Sequence, residues 1–221
     1  MSHQPTQSDE TQLDEGASPL NLPADPSRRR WVATTCALGG VAGVATAVPY
    51  ALSLSPSARA EAAGAPVEVD IAALEPGKQM TAEWRGQPIF IVRRTDAEVA
   101  GLAKHNSELA DPLSKNTEYT PFAWAQNVWR SRKKEIFICV GICTHLGCVP
   151  TPRFKTGAQE NLPSDWPGGW LCPCHGSTYD MAARVYSNKP APANLPIPPY
   201  AFSPDGKRVI IGLEEYPANK A

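Results

Sequence analysis

Two short segments hold the residues with metal-binding chemistry: Cys143-Thr144-His145-Leu146-Gly147-Cys148 and Cys172-Pro173-Cys174-His175-Gly176-Ser177. Each offers two cysteines and one histidine. Cys143 and His145 have one residue between them, so a tight loop can aim both side chains at one metal centre. Cys172 and His175, three apart, also suit a loop folded around a metal. Thiolates favour iron–sulfur clusters or zinc, and imidazole suits either. Four ligands from two loops fit one tetrahedral zinc, and they equally fit a two-iron cluster with a cysteine pair and a histidine pair. Spacing does not separate the two.

The two boxes supply more ligands than one site needs. Cys148 and Cys174 read as occupying equivalent places, one per loop. On the oxidising side of a membrane two such thiols could join as a disulfide. The chain-entropy model gives a few kcal/mol for closing a loop of about 25 residues, and the bond would clamp the two metal-bearing loops together. A cysteine-rich zinc site has no evident use for such bracing. The other two cysteines, Cys36 in an apolar segment and Cys139 in a strand, read as small buried hydrophobes. His105 reads as a surface residue and His3 as part of a polar tail. Trp124, Trp129, Trp166 and Trp170 read as packing residues.

Several elements must position these boxes. Residues 1–27 are polar, lack apolar periodicity and read as a disordered tail. Ser27-Arg28-Arg29-Arg30 then abuts an uncharged stretch from Trp31 to Leu54. That stretch spans about 36 Å as a helix, enough to cross a hydrocarbon core with some tilt. The segment 28–54 therefore reads as a transmembrane anchor. Arginines on its N-terminal side place the N-terminus in the cytoplasm. Ser27, the arginine pair and Trp31 also resemble a twin-arginine export signal, although the usual lysine is missing. Ser57-Ala58-Arg59-Ala60 has the small residues of a cleavage site. Residues 55–66, small and alanine-rich, read as a hinge or linker.

Residues 67–221 read as a β-rich head. Val67 to Ile71 alternates; Gln79–Trp84 and Pro88–Arg94 flank Arg85-Gly86-Gln87 as a hairpin. Thr95 or Asp96 can cap a short helix over about residues 96 to 104. Residues 105–132 read as mostly loop, and Glu135 to Val140 as a strand leading into the first box. Tyr200–Phe202 and Arg208–Leu213 flank the turn Ser203-Pro204-Asp205-Gly206-Lys207. The chain has 23 prolines, many of them late, which favours loop-rich β structure over a helical bundle. Its net charge of −1 provides no basic field for nucleic acid.

Taken together, the two boxes resemble the motif pair of the Rieske iron–sulfur subunit of quinol–cytochrome c reductases, the cytochrome bc complexes. The anchor, the linker and the late proline run follow in the same order, so the resemblance covers about residues 28 to 213. It implies an all-β head, a Rieske-type antiparallel sandwich with a cluster-binding subdomain over about 140–195, plus one N-terminal transmembrane helix that stays as an uncleaved anchor. It implies one 2Fe–2S cluster, with Cys143 and Cys172 on the inner iron and His145 and His175 on the outer one. Cys148 and Cys174 become the bracing disulfide. Ser177 becomes a hydrogen-bond donor to a bridging sulfide, and Tyr179 a donor to a ligand sulfur. Leu146 becomes a docking residue at the tip. Lys189-Pro190-Ala191-Pro192 resembles the cover over the cluster, with lysine where glycine is usual.

The resemblance further implies electron transfer from quinol to a c-type haem, with His175 as quinol contact and proton acceptor. Two neutral imidazoles in place of two thiolates raise the net charge of such a cluster by two units, which favours reduction. The implied partners are a cytochrome b subunit, a c-type cytochrome, quinol and membrane lipid, in a dimeric complex. The implied location is a bacterial inner membrane with a periplasmic head. Three rivals stand beside this reading: the iron–sulfur subunit of another exported oxidoreductase, a membrane-anchored zinc module, and a ring-oxygenase component. The last typically lacks the two extra cysteines and needs a further iron site that His3 and His105 do not supply.

Overall fold

A computed structural model of the chain describes residues 26–57, 62 and 64–217. Nearly all of the expected polar tail and part of the expected linker therefore lie outside the described residues. The chain divides into two units, Met1–Pro56 and Ser57–Ala221.

The first unit is helix α1, Pro26–Ser53, with 28 residues. It is long and apolar enough to cross a membrane. Three threonines within it do not argue against that environment. The hydroxyls of Thr34, Thr35 and Thr46 donate to the carbonyls of Arg30, Trp31 and Ala42 at 2.9, 3.0 and 2.7 Å. Each polar group is thereby satisfied within the helix, as an apolar medium requires. None of the helix's residues is buried, and this corrects the expectation for Cys36, which is exposed. A lone helix offers no protein interior; lipid can cover such side chains.

The second unit holds three antiparallel three-stranded sheets. The first joins β1 (Val67–Asp70), β9 (Arg208–Ile211) and β8 (Tyr200–Phe202). The second joins β2 (Lys78–Trp84), β3 (Gln87–Arg93) and β4 (Ile136–Val140). The third joins β5 (Thr151–Pro152), β6 (Trp170–Leu171) and β7 (Thr178–Tyr179). The β2–β3 hairpin closes on two left-handed residues, Arg85 at φ 54° and Gly86 at φ 70°. Two such residues make a turn whose twist matches that of the flanking strands. Helix α2 (Asp96–Gly101) is capped by Thr95, whose hydroxyl accepts from the Glu98 amide while the Glu98 carboxylate accepts from the Thr95 amide. It runs on as a 3₁₀ helix from Leu102 to Glu108.

β3 and β4 are continuous apolar runs because both their faces are covered. Between the second and third sheets sits Trp170, fully buried. Its ring lies 6.2 Å from Phe90, 6.1 Å from Phe137 and 5.2 Å from Phe154, and its indole nitrogen donates to Gln79 at 2.9 Å. One core thus holds the strands that carry the two boxes.

Candidate metal centre

The first box follows β4, and the second is the connection between β6 and β7. Both fold into the same backbone loop. In the first, the Cys143 amide donates to the Cys148 carbonyl at 2.8 Å and the Gly147 amide to the Cys143 carbonyl at 3.0 Å. In the second, the Cys172 amide donates to the Ser177 carbonyl at 2.8 Å and the Gly176 amide to the Cys172 carbonyl at 3.0 Å. Gly147 at φ 83° and Gly176 at φ 72° supply the left-handed step at matching places.

This pattern corrects one expectation. Cys148 and Cys174 are not equivalent: Cys148 corresponds to Ser177, and Cys174 corresponds to His145. They nonetheless meet, joined as a disulfide with Cα atoms 6.6 Å apart. The bond staples the loops across their mismatched register.

Cys143 and Cys172, the leading residues of each loop, are buried free thiols. Burial pushes the Cys172 thiol up, and Cys143 is its side-chain hydrogen-bond partner. The histidines sit outward of them. His145 is half-buried and His175 exposed, with ring centroids 4.7 Å apart and the rings edge to face. The sulfurs of Cys148, Cys172 and Cys174 also lie within 4.8 Å of one another, but two of them are bonded together, so only Cys172 remains a ligand. The candidate donors are therefore the two buried thiols of Cys143 and Cys172 and the two neighbouring imidazoles of His145 and His175.

Surrounding groups fit a sulfur-rich cluster in this place. The Tyr179 hydroxyl lies 3.2 Å from the Cys143 sulfur. Burial first, then this contact, holds the tyrosine well above its usual titration range, so it remains a donor. Ser177 is fully buried; its hydroxyl accepts from the Ala191 amide at 3.0 Å. Among the described residues no protein acceptor takes the Ser177 proton. A buried hydroxyl proton without a protein partner beside two thiols fits an acceptor such as a sulfide. On the other loop, the Thr144 hydroxyl donates to the Ala193 carbonyl at 2.7 Å. The segment 189–193 is thus tied to both loops. Its lysine needs no glycine-like backbone, because the left-handed residue is Asn188 at φ 57°. Pro190 and Pro192 are exposed and Ala191 is buried. Leu146 is 70% exposed at the tip of its loop, as is part of Val149.

Three buried arginines hold the frame, and none is apparent from the sequence. Arg184 pairs with Asp180 at 2.6 Å and donates to Asn106, Pro112 and Leu102. Arg130 donates to the carbonyls of Ala182, Ala183 and Leu195 and to the Thr120 hydroxyl. Arg94 donates to Lys134, Trp129, Met181 and Ser131. Burial lowers Arg94 and Arg130 to about 10, so both stay charged at neutral pH. The stretch 105–132, expected as loop, is therefore bound to the chain just after Tyr179. Cys139, buried in β4, has its thiol pushed up to about 12 by burial and is inert. His105 is half-buried and bonds Glu108 at 2.9 Å.

Gly169 shows how tightly the site is set. A Cβ there would lie 1.9 Å from the Tyr179 carbonyl oxygen, and its φ is +147°. Gly169→Ala must push β7 and Tyr179 away. The expected cost is about 1–3 kcal/mol from overpacking, read by thermal unfolding of the full chain. An unchanged midpoint would show that the close approach is not a constraint.

Comparisons with known proteins place the chain in a family. Residues 101–200 match the family model of the Rieske [2Fe-2S] domain. The ubiquinol-cytochrome c reductase iron-sulfur subunit of Allochromatium vinosum is 46% identical over 185 residues, which cover 84% of this chain and 87% of that one. The subunit of the same name from Rhodospirillum rubrum is 38% identical over 204 residues, 90% of this chain and 100% of that one. Among solved structures, a chain of a hyperthermophilic respiratory Complex III is 26% identical, with 80% of this chain and 98% of that one covered and a TM-score of 0.43. Two thiols inside, two imidazoles outside and a disulfide across the loops thus accompany close identity over most of the chain, and this protein belongs to the family of ubiquinol–cytochrome c reductase Rieske iron–sulfur subunits.

Proposed function

We propose that this chain is the electron-transfer subunit of a quinol–cytochrome c oxidoreductase, taking one electron and one proton from quinol and passing the electron to a c-type haem. The observation that carries the reading is the His145–His175 pair, half-buried and exposed respectively, beside two buried thiols. Cys143 and Cys172 would hold one iron, and His145 and His175 the other. When bound, the 2Fe–2S cluster supplies a one-electron acceptor whose imidazole ligands place its potential above that of all-cysteine ferredoxins.

The chain's own residues set the rest. His175, exposed at the tip, offers quinol the ring nitrogen that is not on iron; this atom accepts the hydroxyl proton. Leu146 adds apolar contact at the docking face. Tyr179 donates to the Cys143 sulfur, and hydrogen bonds to ligand sulfurs favour the reduced, more negative state. Cys148–Cys174 holds the two loops together, and residues 189–193 cover one side. Residues 140–195 form the cluster-binding subdomain in this reading.

The partners are a cytochrome b subunit and a c-type cytochrome subunit within a dimeric, lipid-embedded complex. Helix α1 anchors the chain in a bacterial inner membrane, with Arg28, Arg29 and Arg30 on the cytoplasmic side and the head in the periplasm. Residues 55–66 act as the hinge that lets the head reach both partners. Replacing several of them with proline should slow turnover and leave the cluster's spectrum unaltered; undiminished turnover would remove the hinge.

The function itself is tested by rapid mixing of membranes that hold the chain with quinol. The cluster should be reduced within one turnover and reoxidised when a c-type cytochrome is supplied. A cluster that quinol leaves oxidised, in membranes that retain b- and c-type haems, would contradict the proposal and favour another exported oxidoreductase.

A further inference from the structure

We propose that the backbone amide of Ala191 is a positioning donor that aims the Ser177 hydroxyl at the cluster and so raises its reduction potential. The inference rests on the reading of Ser177 as a donor to the cluster. A hydroxyl has one proton and two lone pairs. The Ala191 N–H, 3.0 Å from the Ser177 oxygen, occupies one lone pair. The rotor is then biased: the Ser177 proton points away from Ala191, and among the described residues no protein atom receives it. Both residues are buried, so water does not compete for the contact.

The covering segment is built to present this one amide. Pro190 and Pro192 flank Ala191 and have no N–H of their own. Two prolines also restrict the backbone that carries the donor. Beyond them, the Ala193 carbonyl accepts from Thr144 at 2.7 Å, so the far end of the segment is fixed to the other cluster loop. The segment is therefore tied to one loop as acceptor and to the other as donor. Chains of hydrogen bonds polarise one another, by about 10–30% per bond. An amide that donates to the Ser177 oxygen makes its proton a stronger donor on the other side. The cover thus acts on the cluster's electronics through Ser177, besides shielding it.

The test is a cycle of midpoint potentials, read by EPR-monitored redox titration of the full chain in its membrane. Four chains are compared: the parent, Ser177→Ala, Ala191→Pro and the double variant. Ser177→Ala should lower the potential. Ala191→Pro, which lacks the N–H, should lower it in the parent by roughly a tenth to a third of the Ser177→Ala shift. In the Ser177→Ala background it should leave the potential unchanged. If Ala191→Pro fails to retain the cluster, Pro192→Gly, which keeps the amide but loosens the segment that aims it, is measured in the same cycle by the same criteria. A Ser177→Ala potential equal to the parent's would overturn the reading of Ser177 itself. A shift from the segment variant of equal size in both backgrounds, or in neither, would overturn the inference alone.

Discussion

Cys172→Ser is expected to abolish the iron–sulfur signal of this chain, with iron and acid-labile sulfide at background and no quinol oxidation. The expectation follows from the chemistry of the donor. Iron–sulfur clusters are held by soft thiolates. Serine keeps the size of the side chain but offers a hard oxygen in their place. No nearby sulfur can substitute. Cys174 and Cys148 are bonded to each other, and Cys143 is already committed as the other inner ligand. Cys139→Ala is the matched control. That thiol is equally buried, sits in β4 and is held neutral by burial at about 12. It should lose a little packing and retain the full signal. Iron and sulfide retained in Cys172→Ser would remove Cys172 from the ligand set.

Arg184→Met should destabilise the head by about 3–5 kcal/mol, the cost of leaving a buried charge without its partner. Side-chain exposure is 0% for Arg184 and 4% for Asp180, so water cannot replace the lost guanidinium. One Asp180 carboxylate oxygen accepts from the amides of Ala182 and Arg184, and the other from the Arg184 Nε and Nη2. Removing Arg184 also takes a donor from the carbonyls of Pro112 and Leu102. Asp180 directly follows Tyr179, so loosening this turn should also weaken the Tyr179 contact to Cys143. Thermal loss of the cluster's visible circular dichroism, followed in detergent-solubilised full chain, reads the effect. Asp180→Asn combined with Arg184→Met should recover part of it, because the buried charge is then gone. A cost below about 1 kcal/mol for Arg184→Met, the range of exposed ion pairs, would show that the pair does not clamp the site.

The metal centre was largely legible because its signal is local. Box residues sit within six positions of each other, and their types alone restrict the chemistry. What spacing could not supply was the choice between zinc and iron, or the register between the loops. Cys148 and Cys174 looked equivalent because each box holds a second cysteine. The backbone pattern aligns the boxes by their leading cysteines instead, and that alignment offsets the second ones.

The hairpins β2–β3 and β8–β9 were readable from turn chemistry: Arg85-Gly86 in one, and in the other Asp205-Gly206 with Ser203 bonding the Arg208 amide at 2.9 Å. The third sheet was not, because strands of two residues are too short to show alternation. Arg94, Arg130 and Arg184 were also hidden. Arginine usually marks a surface, and these side chains bond carbonyls 35 to 87 positions away in sequence, such as Trp129 and Met181 from Arg94. Asp180 and Arg184 stand four apart in the chain. Outside a helix that spacing does not bring charges together; here the turn through Ala183, at φ 52°, does so.

In the function proposed, a cluster held by two cysteines and two histidines meets quinol at the exposed tip of this head. Low-temperature EPR of reduced membranes containing the full chain, recorded with and without an inhibitor of the quinol-oxidation site, tests it most directly. We expect a reduced 2Fe–2S signal, absent from Cys172→Ser and shifted by the inhibitor. Zinc in the purified chain with no signal, or a signal that the inhibitor leaves unmoved, would contradict the account.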